Sequence, residues 1–301
     1  MKYFMELTRI AVVGATLCSG YAFAGLIAVD LGKNLQLTQT DAAGDMANPT
    51  DYFAARAFYQ NTSDFDSATL TWPASGGPVP MTNVPGTYQF LNGQTAAGYY
   101  LQQSSSYGTQ AALDAAYPMG SYEYDLFNSG DPSLNTSSTI NYSTDLYPAN
   151  QPTLTAASFN SLQGLNTTQA ATVSFAAIED NPDFDSTSDS DYVFLDVYTA
   201  GFGSDVYSTY SASPDGLTSL LIPANTLTPG TSYSLLLDFD NRITSVDPNS
   251  GTTQFQLFDT KTEVDFTTAA AVTTPEPAGF VLAGLGLLAL ACIRRYRQMT
   301  A

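Results

Sequence analysis

Apolar residues recur at every second position in short runs through most of this 301-residue chain, and no other feature restricts its fold as strongly. In "YSLLLDF" the residues Tyr233, Leu235, Leu237 and Phe239 share one side of an extended backbone, because side chains alternate across a strand. The same spacing relates Val193, Leu195 and Val197 in "DYVFLDVY", and Ala171, Val173, Phe175 and Ala177 in "ATVSFAA". Phe255 and Leu257 repeat it in "TQFQLF", and Val264 and Phe266 in "TEVDFTT" are expected to form a last strand. In the first half, Phe53, Ala55, Ala57 and Tyr59 alternate with Tyr52, Ala54, Arg56 and Phe58. Leu70 and Trp72, then Tyr122, Tyr124 and Leu126, extend the pattern. One helical turn is expected at Gln110–Ala116. Short alternating runs between turn signals predict an all-β chain of one or two antiparallel β-sandwich domains. The Pro/Asn-rich stretch Tyr147–Pro152 suggests β-rich segments at 25–150 and 151–270, with a single larger sandwich as the competing arrangement.

Such a sandwich has to hold together by burial alone. The two cysteines, Cys18 and Cys292, lie in the terminal apolar runs, so the body carries neither a disulfide nor a thiolate site. The chain has no histidine, which removes His-based triads, His-ligated zinc and the usual proton shuttle near neutral pH. Between Gly25 and Thr274 the four cations Lys33, Arg56, Arg242 and Lys261 face 26 of the 28 acidic residues, a net charge of −22. Phosphate backbones and anionic lipid would repel that body, so nucleic acid is not an expected partner.

A turn signature recurs before strands: "LTPGTSYSLLLDF", "YPMGSYEYDLF" and "VPGTYQF". Leu227–Phe239 resembles the E–F corner of fibronectin type III and related immunoglobulin-like domains. The resemblance implies that Pro229 and Gly230 build the turn and that Tyr233 is a tyrosine-corner residue, its ring buried and its hydroxyl bonded to nearby backbone. It implies an immunoglobulin-like or fibronectin III-like sandwich at 151–270.

The ends of the chain read as addresses. Lys2 and Arg9, the apolar run Ile10–Leu17 and the small-x-small pattern at Ala22 and Ala24 predict a signal peptide over 1–24, cut by signal peptidase before Gly25. Ala15-Thr16-Leu17 is a poor lipobox for Cys18. At the other end, Ala278–Ile293 is an apolar run whose helix would span about 24 Å, short of a hydrocarbon core of about 30 Å. Arg294, Arg295 and Arg297 follow it and are expected to stay on the cytoplasmic side. Pro275-Glu276-Pro277, the apolar helix and the arginine cluster, together 274–298, closely resemble the PEP-CTERM sorting signal of Gram-negative bacteria. That resemblance implies a transient transmembrane helix in the inner membrane, cleavage near the tripeptide by an exosortase-type enzyme, and delivery to the surface or exopolysaccharide matrix.

Three constellations carry candidate chemistry. Asp180, Asp183, Asp185, Asp189 and Asp191 offer the oxygen ligands that calcium takes. Their spacing lacks the Gly and Glu of an EF-hand, and it favours a solvated acidic loop; no cofactor other than calcium is suggested by the sequence. Asp64 with Asp66, and Asp238 with Asp240, have the spacing that puts two carboxyls on one strand face, as a glycosidase acting through acidic residues alone would need, although nothing signals a cleft. Tyr99, Tyr100, Tyr107, Tyr122 and Tyr124 could stack on sugar rings, while core packing also accounts for them. The expectation is a secreted, non-enzymatic surface or matrix protein. A carbohydrate-binding module is the alternative, ahead of a hydrolase, with extracellular polysaccharide as the ligand.

Overall fold

The alternating runs fold as strands. The computed structural model describes residues 25–90, 94–179, 181, 190–212 and 214–271. In chain order the strands are β1 (Leu26–Gln39), β2 (Met46–Ala47), β3 (Tyr52–Tyr59), β4 (Ser67–Thr71), β5 (Val79–Pro80), β6 (Thr82–Gln89) and β7 (Thr95–Gln103). Then come β8 (Gly120–Phe127), β9 (Thr136–Tyr142), β10 (Ala171–Ser174), β11 (Ser190–Thr199), β12 (Asp205–Ser211), β13 (Ser219–Ile222), β14 (Ser232–Val246) and β15 (Thr253–Thr267). Two seven-residue helices interrupt them, α1 (Gln110–Ala116) and α2 (Ala156–Leu162), each N-capped by a threonine hydroxyl, Thr109 and Thr155. Among the described residues no helix is long and apolar enough to cross a membrane. The expected signal helix and C-terminal helix lie outside the described residues.

A nine-stranded sheet in the order β12-β11-β14-β15-β1-β3-β7-β6, with β2 beside β1, runs through the body. A four-stranded sheet, β5-β4-β8-β9, shares a tyrosine-rich core with it, built from Val29, Leu31, Phe53, Tyr100, Tyr122, Tyr124, Ile140 and Phe258. A two-stranded sheet, β10-β13, and α2 share a second, mostly aliphatic core with Val193, Leu195, Leu235, Leu237, Phe239 and Val264. Each Leu or Phe fully buried there stabilises the fold by about 1.5–3 kcal/mol relative to exposure. The segments 25–150 and 151–270 thus each have a core, and their strands are neighbours in one sheet.

The connector between those segments crosses one face of β15 in the gap between the cores. Thr260 Oγ1 donates to the Asn150 carbonyl at 3.2 Å, Gln151 Nε2 donates to Thr262 Oγ1 at 3.0 Å, and Thr262 Oγ1 donates to the Pro152 carbonyl. Those threonines satisfy a stretch of backbone that would otherwise be buried without partners.

β15 also differs from the expectation of two separate runs. It is one strand of fifteen residues whose apolar side changes partway. Phe255 and Leu257 face one side, with Ala28, Phe58 and Tyr99, whereas Val264 and Phe266 face the other. The polar residues Asp259–Thr262 look like a turn in sequence but continue the ladder, because both faces offer them partners.

One pair breaks the antiparallel expectation: β1 and β15 run parallel, from Ala28 opposite Thr253 to Thr38 opposite Glu263. They are far apart in the chain, so no tight hairpin imposes a direction. Both are buried on both faces over most of their length, the setting in which parallel strands occur. Ala269 closes this compact unit; of the second unit, which begins at Ala270, only Ala270 and Ala271 are described.

Candidate functional site: a buried ionic face

Side-chain alternation gives the nine-stranded sheet a second face, opposite the two large cores. Register brings Asp238, Asp240 and Arg242 of β14 beside Asp259 and Lys261 of β15, then Asp30 and Asn34 of β1 and Arg56 of β3. All eight are buried. With Lys33, which sits on the opposite face of β1 and binds Asp114 at 2.8 Å and Asp145 at 3.2 Å, every cation between Gly25 and Thr274 is internal. The chain carries a large excess of acid and keeps all four of its body cations inside.

Geometry explains why each ion is tolerated. Arg56 forks onto Asp30, with Nε to Oδ1 at 3.0 Å and the terminal nitrogen to Oδ2 at 2.8 Å, and its guanidinium lies 5.5 Å from the Phe58 ring centre. Arg242 pairs with Asp240 and lies 4.6 Å from the Tyr192 ring centre. Lys261 Nζ bridges Asp238 Oδ2 at 3.0 Å and Asp259 Oδ2 at 3.3 Å.

Burial dominates the electrostatics. It raises the Asp30 carboxyl above its ordinary range despite the pull of Arg56, and it raises Asp238 well above that range despite Lys261. It pushes Asp240 up to about 7, against Arg242 and helped by the neighbouring Asp259. Three carboxylates, Asp238, Asp240 and Asp259, surround the two cations Arg242 and Lys261, and burial favours the protonated form of Asp238 and Asp240. A cavity of about 40 Å³ opens among Asn34, Arg56, Asp238, Asp240, Asp259 and Lys261, with Phe194 and Leu257 at its wall. That volume holds about one water. Among the described residues no group of three or more acidic, His or Cys side chains is arranged to hold a metal ion.

The residues singled out from sequence fall in several places. Asp238 and Asp240 share the ionic face; Asp64 and Asp66 do not join them. Asp64 accepts from the Asn61 amide at 2.7 Å, and Asp66 accepts from the Ser129 amide at 2.7 Å, so both shape turns. Asp191 lies half-buried on β11, while Asp180, Asp183, Asp185 and Asp189 lie outside the described residues, as do Ala22, Ala24, Pro275, Glu276, Pro277, Arg294, Arg295 and Arg297. Gly25 has φ +92° and accepts from the Gln60 amide at 2.7 Å; an added Cβ would lie 2.8 Å from that of Asp64.

Tyr233 is buried, stacks on Phe266 with ring centres 5.6 Å apart, and accepts from the Thr228 amide at 2.8 Å. Gly230 follows Pro229 with φ +65°, a conformation in which a side chain would be strained, and donates to the Ala269 carbonyl at 2.9 Å. Four of the five candidate stacking tyrosines, Tyr99, Tyr100, Tyr122 and Tyr124, are buried in the cores, and Tyr107 is half-buried. Sequence reasoning missed Asp259, Lys261, Asp30 and Arg56. Charges two residues apart within otherwise alternating runs, as in "DTK", were the available signal.

No family model matches the chain, and no curated protein matches it. Among solved structures, it is similar to the crystal structure of chicken CNTN1 FN1-FN3 domains, at 10% identity, covering 80% of this chain and 66% of that one with a TM-score of 0.23.

Proposed function

We propose that this chain is an exported, non-enzymatic β protein of the cell surface or exopolysaccharide matrix, processed by signal peptidase and an exosortase-type enzyme after transient anchoring in the inner membrane. The observation that carries the reading is the position of the last strand. β15 ends at Thr267, ahead of the Pro275-Glu276-Pro277, apolar and arginine sequence, so the sorting-like segment begins where the sheet has finished. β1 begins one residue after Gly25, the expected first residue of the processed chain. The non-enzymatic part is supported by the ionic face. Its carboxylates are tied to Arg and Lys around a cavity of about 40 Å³ rather than standing free across a cleft.

The test is peptide mapping of protein secreted by a host with and without its exosortase. Extracellular protein lacking everything beyond the tripeptide region, and retained protein in the exosortase-free strain, are the expected results. Peptides covering Arg294–Arg297 in the extracellular fraction would reject the reading.

One observation favours carbohydrate binding as a second reading. Tyr210 on β12 is 40% exposed and stacks on Phe194 at 5.7 Å, with Tyr192 stacked behind at 5.8 Å. Pull-down on the host's own exopolysaccharide, with Tyr210→Ala as control, separates it from a purely structural role: wild type retained and the variant released supports binding.

A further inference from the structure

The cations of the ionic face differ in what they can become. A guanidinium stays protonated and inert, whereas an amine that loses a proton is a nucleophile. Lys261 and Asp238 are direct cross-strand partners on β15 and β14, and Nζ lies 3.0 Å from Asp238 Oδ2. The same nitrogen lies 3.3 Å from Asp259 Oδ2, a second carboxylate within reach of its protons. Asp238 Oδ1 is buried without a hydrogen-bond partner. We propose that Lys261 and Asp238 condense spontaneously to an intramolecular amide that staples β14 to β15, with Asp259 accepting the proton that frees the amine.

The step balances without a co-reactant. The Lys261 ammonium gives one proton to Asp259, and the nitrogen lone pair attacks Cγ of the protonated Asp238 carboxyl. A C–N bond forms. A C–O bond then breaks as the Asp238 hydroxyl leaves with a second amine proton as water, and Asp259 keeps the first proton. The neutral carboxyl that this attack needs is the form burial favours at Asp238.

Three features of the site drive the reaction forward. The reacting groups are held in contact by a formed sheet, which removes the entropic cost of bringing them together. The reaction neutralises two buried ions, the Lys261 ammonium and the Asp259 carboxylate, relieving their desolvation. The adjoining cavity, about the size of one water, borders Asp238, Asp259 and Lys261 and can take the molecule released. Lys33 lacks this setting, because its partners Asp114 and Asp145 are 31% and 21% exposed and stay hydrated.

The experiment is mass spectrometry of the purified full chain, intact and after proteolysis. We expect a deficit of one water and a linked peptide pair joining the segments that contain Asp238 and Lys261. Lys261→Arg keeps the charge and cannot form the amide, so it should show the full mass and no linked pair. In Asp259→Asn the linked fraction should accumulate about 100-fold more slowly, the size of a general acid–base contribution. Unlinked peptides alone from folded wild-type protein after prolonged incubation would overturn the proposal. So would a water deficit that persists in Lys261→Arg, which would place the loss elsewhere, as at Asp215-Gly216. Linking at the wild-type rate in Asp259→Asn would overturn the role given to Asp259.

Discussion

Through its central strands β14, β15, β1 and β3 the nine-stranded sheet buries both faces, yet they are held by different physics. On one face Leu235, Leu237 and Phe239 of β14 pack against aliphatic neighbours, an attraction without direction that tolerates small shifts. On the other face of the same strand, Asp238, Asp240 and Arg242 are also buried, but each depends on a partner at a fixed distance on β14 or β15. The contrast teaches that burial alone does not report how a strand is stabilised. An apolar face follows from composition and period, whereas an ionic face requires the correct neighbour in the correct register.

The largest expected effects compare one truncation on each face. Phe239→Ala should cost about 3–5 kcal/mol through the cavity it leaves. Arg56→Ala should cost about 3–5 kcal/mol by stranding Asp30 without its counter-ion. Denaturant titration reads both, and the comparison sharpens with Arg56→Met combined with Asp30→Leu. That pair should recover most of the loss or add about 1–4 kcal/mol, since ions replaced together no longer need solvating. A double variant as unstable as Arg56→Ala would break the distinction between the faces.

Next in size is the corner that closes the aliphatic core. Tyr233→Phe keeps the ring but leaves the Thr228 amide without its acceptor, at an expected cost of about 1–3 kcal/mol by the same titration.

A pH comparison tests the ionic face without altering a contact. Asp240 titrates near 3.8 in an unfolded chain and at about 7 when folded. Between those values the folded chain holds a proton that the unfolded chain has released, so stability falls as pH rises through that window and levels off above it. The raised value of Asp30 acts in the same direction, as does that of Asp238 wherever it remains an unlinked carboxyl. Midpoints in urea should therefore be higher at about pH 5 than at about pH 8, and Asp240→Asn should narrow the gap. A higher midpoint at the upper pH would contradict the assignment. At the bottom of the scale, Tyr210→Ala at the exposed rim should change stability by no more than about 0.5 kcal/mol.

Legibility from sequence divides along the same line. β14, β11, β3 and α1 could be read from period and composition, because a one-sided apolar pattern carries its own meaning. β15 read as two pieces, since Asp259–Thr262 is polar on both sides and a lone chain does not reveal that one side faces ions and the other the connector. The parallel pairing of β1 with β15 left no mark, as the two-residue period is the same in either direction. Asp238 and Asp240 stood out as a pair, but Lys261 and Arg56 resembled ordinary surface charges. Only the register, a property of several strands together, places them opposite their carboxylates.

The parallel contact between β1 and β15 has a mechanical consequence. Tension exerted between the start of β1 and the end of β15 draws these adjacent strands past each other along their length. The rungs from Ala28–Thr253 to Thr38–Glu263 then carry the strain simultaneously, where an antiparallel terminal pair would unzip rung by rung. The body is thereby built to resist stretching from its two ends.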